Sequence, residues 1–264
     1  RQNNPEAVML VLPADHIMQN EEEFRRVLSL AIWVAYESGK LITVGIQPTR
    51  PDTGYGYIQI VDADEDKDNP YIDRGVHRVK TFAEKPNLAT AQQFLESGDF
   101  LWNSGMFIWR ADTILREIEH LLPEMHQELS KIDGAIGSEK YEHVLETAYR
   151  IMRSISIDYG VMEKARDVYV IKGGFGWSDV GSWDEVYRAS GKDEKGNSVT
   201  GKTFLQHTNN TFVYAGNKFV AAIGVDNLIV ISTDDAVLVC KRESSQEVKE
   251  VVDYLRRKQM NELL

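Results

Sequence analysis

Apolar positions along the chain fall into runs, stripes and alternations, and each pattern predicts a different element. Val8 to Leu12 is an unbroken apolar run closed by Pro13. Such a run is too short for an ordinary helix and has the profile of a strand buried on both faces, in a sheet covered by helices. From Phe24, apolar residues recur at Val27, Leu28, Ala31, Ile32, Val34 and Ala35, a helical stripe that stops at Gly39. Asn20-Glu21-Glu22-Glu23 opens it with a capping signal in which Glu23 is placed to reach back to the Asn20 amide. Leu41 to Ile46 is the next strand. Strand, helix, strand in this order predicts a βαβ unit and therefore a parallel sheet.

Further along, an extended segment begins at Gly54-Tyr55-Gly56-Tyr57-Ile58, and the acidic tract Asp62 to Asp68 reads as a solvated hairpin tip or surface loop. Strands are predicted at Val76 to Phe82, Gly105 to Trp109 and Val168 to Lys172, with helices at Thr90 to Ser97, Thr113 to Leu122 and Glu139 to Met152. The character changes at Gly191 to Gly201, a Gly/Lys/Asp-rich stretch without periodicity. Beyond it lie short strands at 203–205, 211–214, 219–223, 228–232 and 236–240, separated by turn signals, and a closing helix from about Ser244 to Lys258. The pattern predicts an α/β fold: a mostly parallel sheet flanked by helices over residues 1–190, then a small β-rich module with a terminal helix over 191–264.

Composition narrows the function classes. A formal net charge of −11 argues against a nucleic-acid partner, because no basic patch offsets it. Cys240 is the only cysteine, which leaves no internal disulfide or cysteine metal site and suits a reducing cytoplasm. No apolar run has the length of a membrane span, and the opening residues Arg1-Gln2-Asn3-Asn4-Pro5 are no signal peptide. The sequence starts without methionine and almost at once with a strand, so it reads like a chain whose beginning lies elsewhere.

Candidate chemistry gathers at the ends of the predicted strands. Asp15 follows the first strand, where open α/β sheets place their ligands; a carboxylate there suits Mg²⁺ or serves as a loop cap. In Glu84-Lys85-Pro86, the lysine can meet a phosphate while Glu84 accepts from hydroxyls, or the pair is a strand-end salt bridge. Asn103, in Trp102-Asn103-Ser104-Gly105, offers an amide to a polyol, or the stretch is a turn. Asp179, in Trp177-Ser178-Asp179, is a second metal carboxylate or a helix cap. The tryptophans 102, 109, 177 and 183 read as packing residues.

Six motifs occur in order: Leu12-Pro13-Ala14-Asp15-His16, Thr53-Gly54-Tyr55-Gly56-Tyr57-Ile58, Phe82-Ala83-Glu84-Lys85-Pro86, Leu101-Trp102-Asn103-Ser104-Gly105-Met106-Phe107, Ser156-Ile157-Asp158-Tyr159-Gly160-Val161-Met162-Glu163-Lys164 and Trp177-Ser178-Asp179-Val180-Gly181-Ser182-Trp183. Together they closely resemble the mannose-1-phosphate guanylyltransferases of the sugar-nucleotide pyrophosphorylase family, over essentially the whole chain. The resemblance implies a Rossmann-like nucleotidyltransferase sheet, a reaction of GTP with mannose 1-phosphate to give GDP-mannose and pyrophosphate, and Mg²⁺ or another divalent ion. It implies that Asp15 and Asp179 hold the metal, that Lys85 contacts the sugar phosphate, and that Gly54, Tyr55, Glu84, Asn103 and Asp158 bind the sugar. A homodimer through the β-rich tail fits as well.

One departure is plain. Members of the family open with a strand and a Gly-rich loop carrying a basic residue that cradles the triphosphate. Gly173-Gly174-Phe175-Gly176 is the nearest cluster here, far along the chain and without the basic residue. The chain is therefore expected to be the carboxyl-terminal portion of a longer enzyme, inactive alone, and without the residues that would set base preference. A sugar-phosphate-binding subunit that needs a partner chain stays open as another reading. A metal-dependent glycosyltransferase is a third, although Asp15-His16-Ile17 stands where such enzymes usually carry Asp-x-Asp.

Overall fold

A computed structural model describes residues 4–83 and 85–263, and it divides into two compact units, residues 1–177 and 178–264. In the first unit the elements are β1 (Val8–Val11), β2 (Ile17–Met18), α1 (Glu21–Ser38), β3 (Leu41–Ile46), β4 (Tyr57–Ile60), β5 (Val76–Ala83), α2 (Leu88–Ser97), β6 (Phe100–Arg110), α3 (Ala111–Leu121), α4 (Pro123–Ala135), α5 (Tyr141–Ile151) and β7 (Val168–Gly173). Six strands form one sheet in the order β1-β6-β3-β7-β5-β4, with β4 also pairing β6.

The α/β class is as expected, but the sheet is mixed. Only β3 and β7 pair in parallel; β1–β6, β3–β6, β4–β5, β4–β6 and β5–β7 are antiparallel. The βαβ reading of β1, α1 and β3 holds in direction only. Both strands run antiparallel to β6, which is inserted between them, so they are parallel to each other without touching.

The centre of the core is β3, whose six residues are all buried. Gly45 within it is required by close approach: a β-carbon there would lie 2.7 Å from Leu101 Cδ1 and 2.9 Å from Val170 Cγ2. Helix α1 covers one face of the sheet with Val27, Ala31, Val34 and Ala35. Its start differs in one detail from the expected reciprocal cap. Asn20 Oδ1 accepts from the Glu23 amide at 3.1 Å, but the Glu23 carboxylate turns to Arg26, and the Asn20 N–H donates to the Phe175 carbonyl.

Two further expectations are corrected. The run Val8–Leu12 is not buried on both faces: Met9, Leu10, Val11 and Leu12 are each 38–45% exposed. The reason is position, because β1 is the edge strand and β6 is its partner among the described residues. The acidic tract is a surface loop, but one with an anchor. Asp66 is fully buried, accepting from Asn69 Nδ2 at 2.7 Å and from the Arg78 amide at 3.2 Å.

The second unit starts within β8 (Trp177–Ser178) and continues through α6 (Trp183–Ala189), β9 (Ser198–Gln206), β10 (Phe212–Ile223), β11 (Leu228–Ser232), β12 (Val237–Lys241) and α7 (Val248–Arg257). Helix α6 packs here, Tyr187 joining Phe212, Ile229 and Ile231 in one apolar cluster, so this compact unit begins before the composition change at 191. Consecutive strands β9, β10 and β11 pair in parallel across connections too short for a crossover helix, so the chain winds as a coil rather than folding into hairpins. Phe212 faces Ser198 on one side and Ile229 on the other. The segments read as separate strands at 211–214 and 219–223 are one strand, β10, interrupted by a bulge. Buried Asn197 ties successive turns, donating to the Thr208 carbonyl and accepting from the Thr211 amide.

Candidate functional site

The site of the first unit is built around a break in β6. Residues Phe100–Trp102 pair with β4, whereas Phe107–Arg110 pair with β1. Between these ladders lies Asn103-Ser104-Gly105, with Gly105 in the left-handed region at φ 69°. The stretch, a turn in one of its two sequence readings, is a bulge inside an 11-residue strand. The bulge aims Asn103 at a five-residue π-helix, Asp158–Met162, and Asn103 Nδ2 donates to Asp158 Oδ1 at 2.8 Å. The Asn103 amide N–H donates to the Gly56 carbonyl at 2.8 Å, which binds the Gly54-Tyr55-Gly56 loop to the same place.

A ladder of aromatic rings connects this corner to the Asp15 loop. Tyr55 packs on Trp102 with ring centroids 5.0 Å apart and on Trp177 at 5.2 Å. Trp177 Nε1 donates to His16 Nδ1 at 3.0 Å, the two rings meeting edge-on. At the other end, the Arg50 guanidinium lies 4.9 Å over the Trp102 ring and pairs with Asp52 at 2.6 Å. Asp52 in turn accepts from the Gly54 amide at 2.8 Å, and its backbone exchanges hydrogen bonds with the Tyr57 hydroxyl. Four of the six motifs, those holding Asp15, Tyr55, Asn103 and Asp158, thus converge in the first unit, together with Trp177 from the start of the sixth.

The remaining predicted residues are placed as follows. Asp15 is solvent-exposed just before His16. Lys85 is exposed and carries a φ of 33°, a backbone strain that non-glycine residues seldom bear and that tends to collect at functional sites. Glu84 lies outside the described residues. Asp179 belongs to the second unit, where its Oδ1 accepts from the Gly181 amide at 2.9 Å. Between them Val180 has a φ of 51°, unusual for a β-branched residue. No group of three or more His, Cys, Asp or Glu side chains suited to a metal occurs among the described residues.

The glycine cluster 173–176 serves packing. Phe175 folds back into the core, fully buried against Phe24, and a β-carbon at Gly173 would lie 2.5 Å from its ring. The Phe175 carbonyl receives the Gln19 and Asn20 amides, which holds the segment after β2 in place. Sequence reasoning missed Arg50, Asp52, His16 and the role of Trp102 and Trp177 in joining the motifs. Arg50-Pro51-Asp52 directly precedes the Gly54-Tyr55 motif, and a charged pair beside a glycine-aromatic loop was the available signal.

Comparison with known proteins identifies the family and the fold. A family model described as nucleotidyl transferase matches residues 1–196, and one described as a MannoseP isomerase/GMP-like beta-helix domain matches residues 203–255. The chain belongs to the nucleotidyl transferase family. Among its relatives, mannose-1-phosphate guanylyltransferase RfbM of Salmonella typhimurium is 38% identical, aligned over 98% of this chain and 53% of its own length. Xanthan biosynthesis protein XanB of Xanthomonas campestris is 39% identical over 96% of this chain and 52% of its own. The chain spans about half the length of these curated relatives. A crystal structure described as mannose-1-phosphate geranyltransferase from Thermus thermophilus has a TM-score of 0.79 and 35% identity, covering 94% of this chain and 70% of that one. The second family model agrees with the coil of β9 to β11, and no helix among the described residues is long and apolar enough to cross a membrane.

Proposed function

We propose that this nucleotidyl transferase chain serves the synthesis of GDP-mannose, in which GMP passes from GTP to α-D-mannose 1-phosphate. A phosphate oxygen of the sugar attacks the α-phosphorus of GTP; that P–O bond forms as the bond to the β-phosphate oxygen breaks, and pyrophosphate leaves with the electron pair. The nucleophile is already ionised, so the protein supplies position and charge neutralisation rather than a general base. The observation that carries the reading is the convergence of Asp15-His16, Tyr55, Asn103 and Asp158 through the His16–Trp177–Tyr55–Trp102 ladder.

In this reading Gly54, Tyr55, Glu84 and Asn103 form the sugar-binding set, Asp158 supports it through Asn103, and Lys85 meets the sugar phosphate. The exposed Asp15 carboxylate and, in the second unit, the Asp179 carboxylate are each hard oxygen donors of the kind Mg²⁺ prefers. Each is proposed as a ligand for the ion, which would neutralise charge on the phosphates when bound. Residues 1–190 carry this chemistry and 191–264 form the β-rich module, whose outward Phe204, Phe219 and Ile223 suit a homodimer contact. A cytoplasmic setting fits the lone thiol Cys240 and a nucleoside triphosphate substrate.

Calorimetric titration of the chain with mannose 1-phosphate and Mg²⁺ tests the proposal, with glucose 1-phosphate and Tyr55→Ala alongside. We expect the mannose compound to bind at least about tenfold more tightly than the glucose compound, and Tyr55→Ala to lose about tenfold. Equal affinity for both sugars, or an unaltered Tyr55→Ala, overturns it.

A further inference from the structure

We infer that Asp158 is a positioning residue that acts through Asn103, locking the asparagine amide so that it offers the bound sugar a hydrogen-bond donor. The inference rests on the sugar-phosphate reading above and assigns a direction to its central contact.

An asparagine amide can sit in two orientations, with oxygen and nitrogen exchanged, and a bound hydroxyl would meet a donor in one and an acceptor in the other. Here both ends are settled by partners of a single kind. Asn103 Oδ1 accepts from the Gly105 backbone N–H at 3.1 Å, and an N–H can only donate. Asn103 Nδ2 donates to Asp158 Oδ1 at 2.8 Å, and an ionised carboxylate can only accept. Exchanging oxygen and nitrogen would set oxygen against carboxylate and N–H against N–H. One N–H of Nδ2 is left over once Asp158 has taken the other, and Asn103 is only half-buried, beside the Gly56 carbonyl and the Tyr55 loop. The Nδ2 end of Asn103 therefore presents a donor, matched to a sugar oxygen acting as acceptor.

The scaffold around Asp158 is built to hold it. The π-turn is closed by the Glu163 amide donating to the Asp158 carbonyl at 2.9 Å, and Gly160, Val161 and Met162 behind it are buried. Gly160 keeps the approach close, since a β-carbon there would lie 3.0 Å from Leu122 Cδ1 and would make that side chain shift. A π-turn is rare and is frequent at functional sites.

The test combines side-chain amide NMR of the unligated chain with a double-mutant cycle on mannose 1-phosphate binding. In ¹⁵N-labelled protein, the Asn103 NH₂ pair (assigned by Asn103→Ala) is expected at a hydrogen-bonded position with slowed exchange. Asp158→Ala moves it to the solvent-exposed region, while Asp158→Asn, which retains an oxygen acceptor, keeps most of the protection. In binding, Asp158→Ala and Asn103→Ala each lose about tenfold, the scale of a hydrogen bond to a charged group. The double variant loses no more than the worse single one, and Asp158→Asn restores most of the affinity.

Additive losses in the double variant would overturn the inference, because Asp158 would then touch the sugar itself or support the site by another route. An Asn103 signal indifferent to Asp158→Ala would overturn it as well. Absence of mannose 1-phosphate binding by the unaltered chain would instead remove the functional reading and the sugar as recipient. The amide signal tests the lock independently of that result.

Discussion

The two sheets use apolar residues in opposite ways. In the first unit β3 is buried at all six positions and β7 at five of six. In the second unit β12 alternates exposed and half-buried, and β9 is mostly exposed after its first residue. A sheet covered on both faces tolerates no protrusion, so its strands are set by volume. A coil with one inner face needs only every second residue to be apolar, and its other positions are free of packing demands. The site sits in the first kind of sheet, where β6 leaves the regular ladder to aim Asn103. Such a bulge holds its geometry only because close packing on both sides resists relaxation.

The contrast can be broken most sharply at Gly45. Gly45→Val places branched carbons where Leu101 and Val170 already lie, and we expect a loss of about 3 kcal/mol or failure to fold, measured by denaturant unfolding. A loss below about 1 kcal/mol would show that the β3 layer is less tightly packed than its burial indicates.

His77, on β5, gives an intermediate effect through pH. Burial, followed by the positive charge of Lys172, holds its imidazole below the usual 6.5, with Asp66 pulling in the opposite direction. The unfolded chain then takes up this proton at higher pH than the folded one. Stability is full above about pH 6.5 and declines as the pH falls below it. His77→Gln should flatten that part of the unfolding-midpoint profile between pH 7 and pH 5, and an unchanged slope would assign the effect to other groups.

The smallest effect is expected in the second unit. Phe219 is 66% exposed, and Phe219→Ser should shift stability by less than about 0.5 kcal/mol in dilute solution. A larger loss there, measured by the same unfolding assay, would mean that this face of the coil is covered.

Much of the architecture was legible in the chain, because it depends on local spacing. The α1 stripe, the buried run of β3, the Gly39 and Gly98 helix ends and the β-rich tail are all patterns over a few residues. The motifs holding Asp15, Tyr55, Asn103 and Asp158 were recognisable too, but not the ladder that joins them. Trp177 reaches His16 across most of the first unit, and a packing tryptophan looks the same in sequence whether it fills a core or joins two site loops. Asp66 was read as solvated because it sits in an acidic tract, yet its carboxylate is buried by Asn69 and Arg78.

The sequence by itself determined which segments are strands and helices and the class of fold, since periodicity and turn residues act through nearest neighbours. Only the tertiary structure decided that β1 lies at an edge, that β6 separates it from β3, and that the Asn103 amide faces Asp158 in one orientation. Each of these depends on which distant segment supplies the neighbour. Strand pairing and amide orientation are settled by non-local hydrogen bonds that leave no period along the chain.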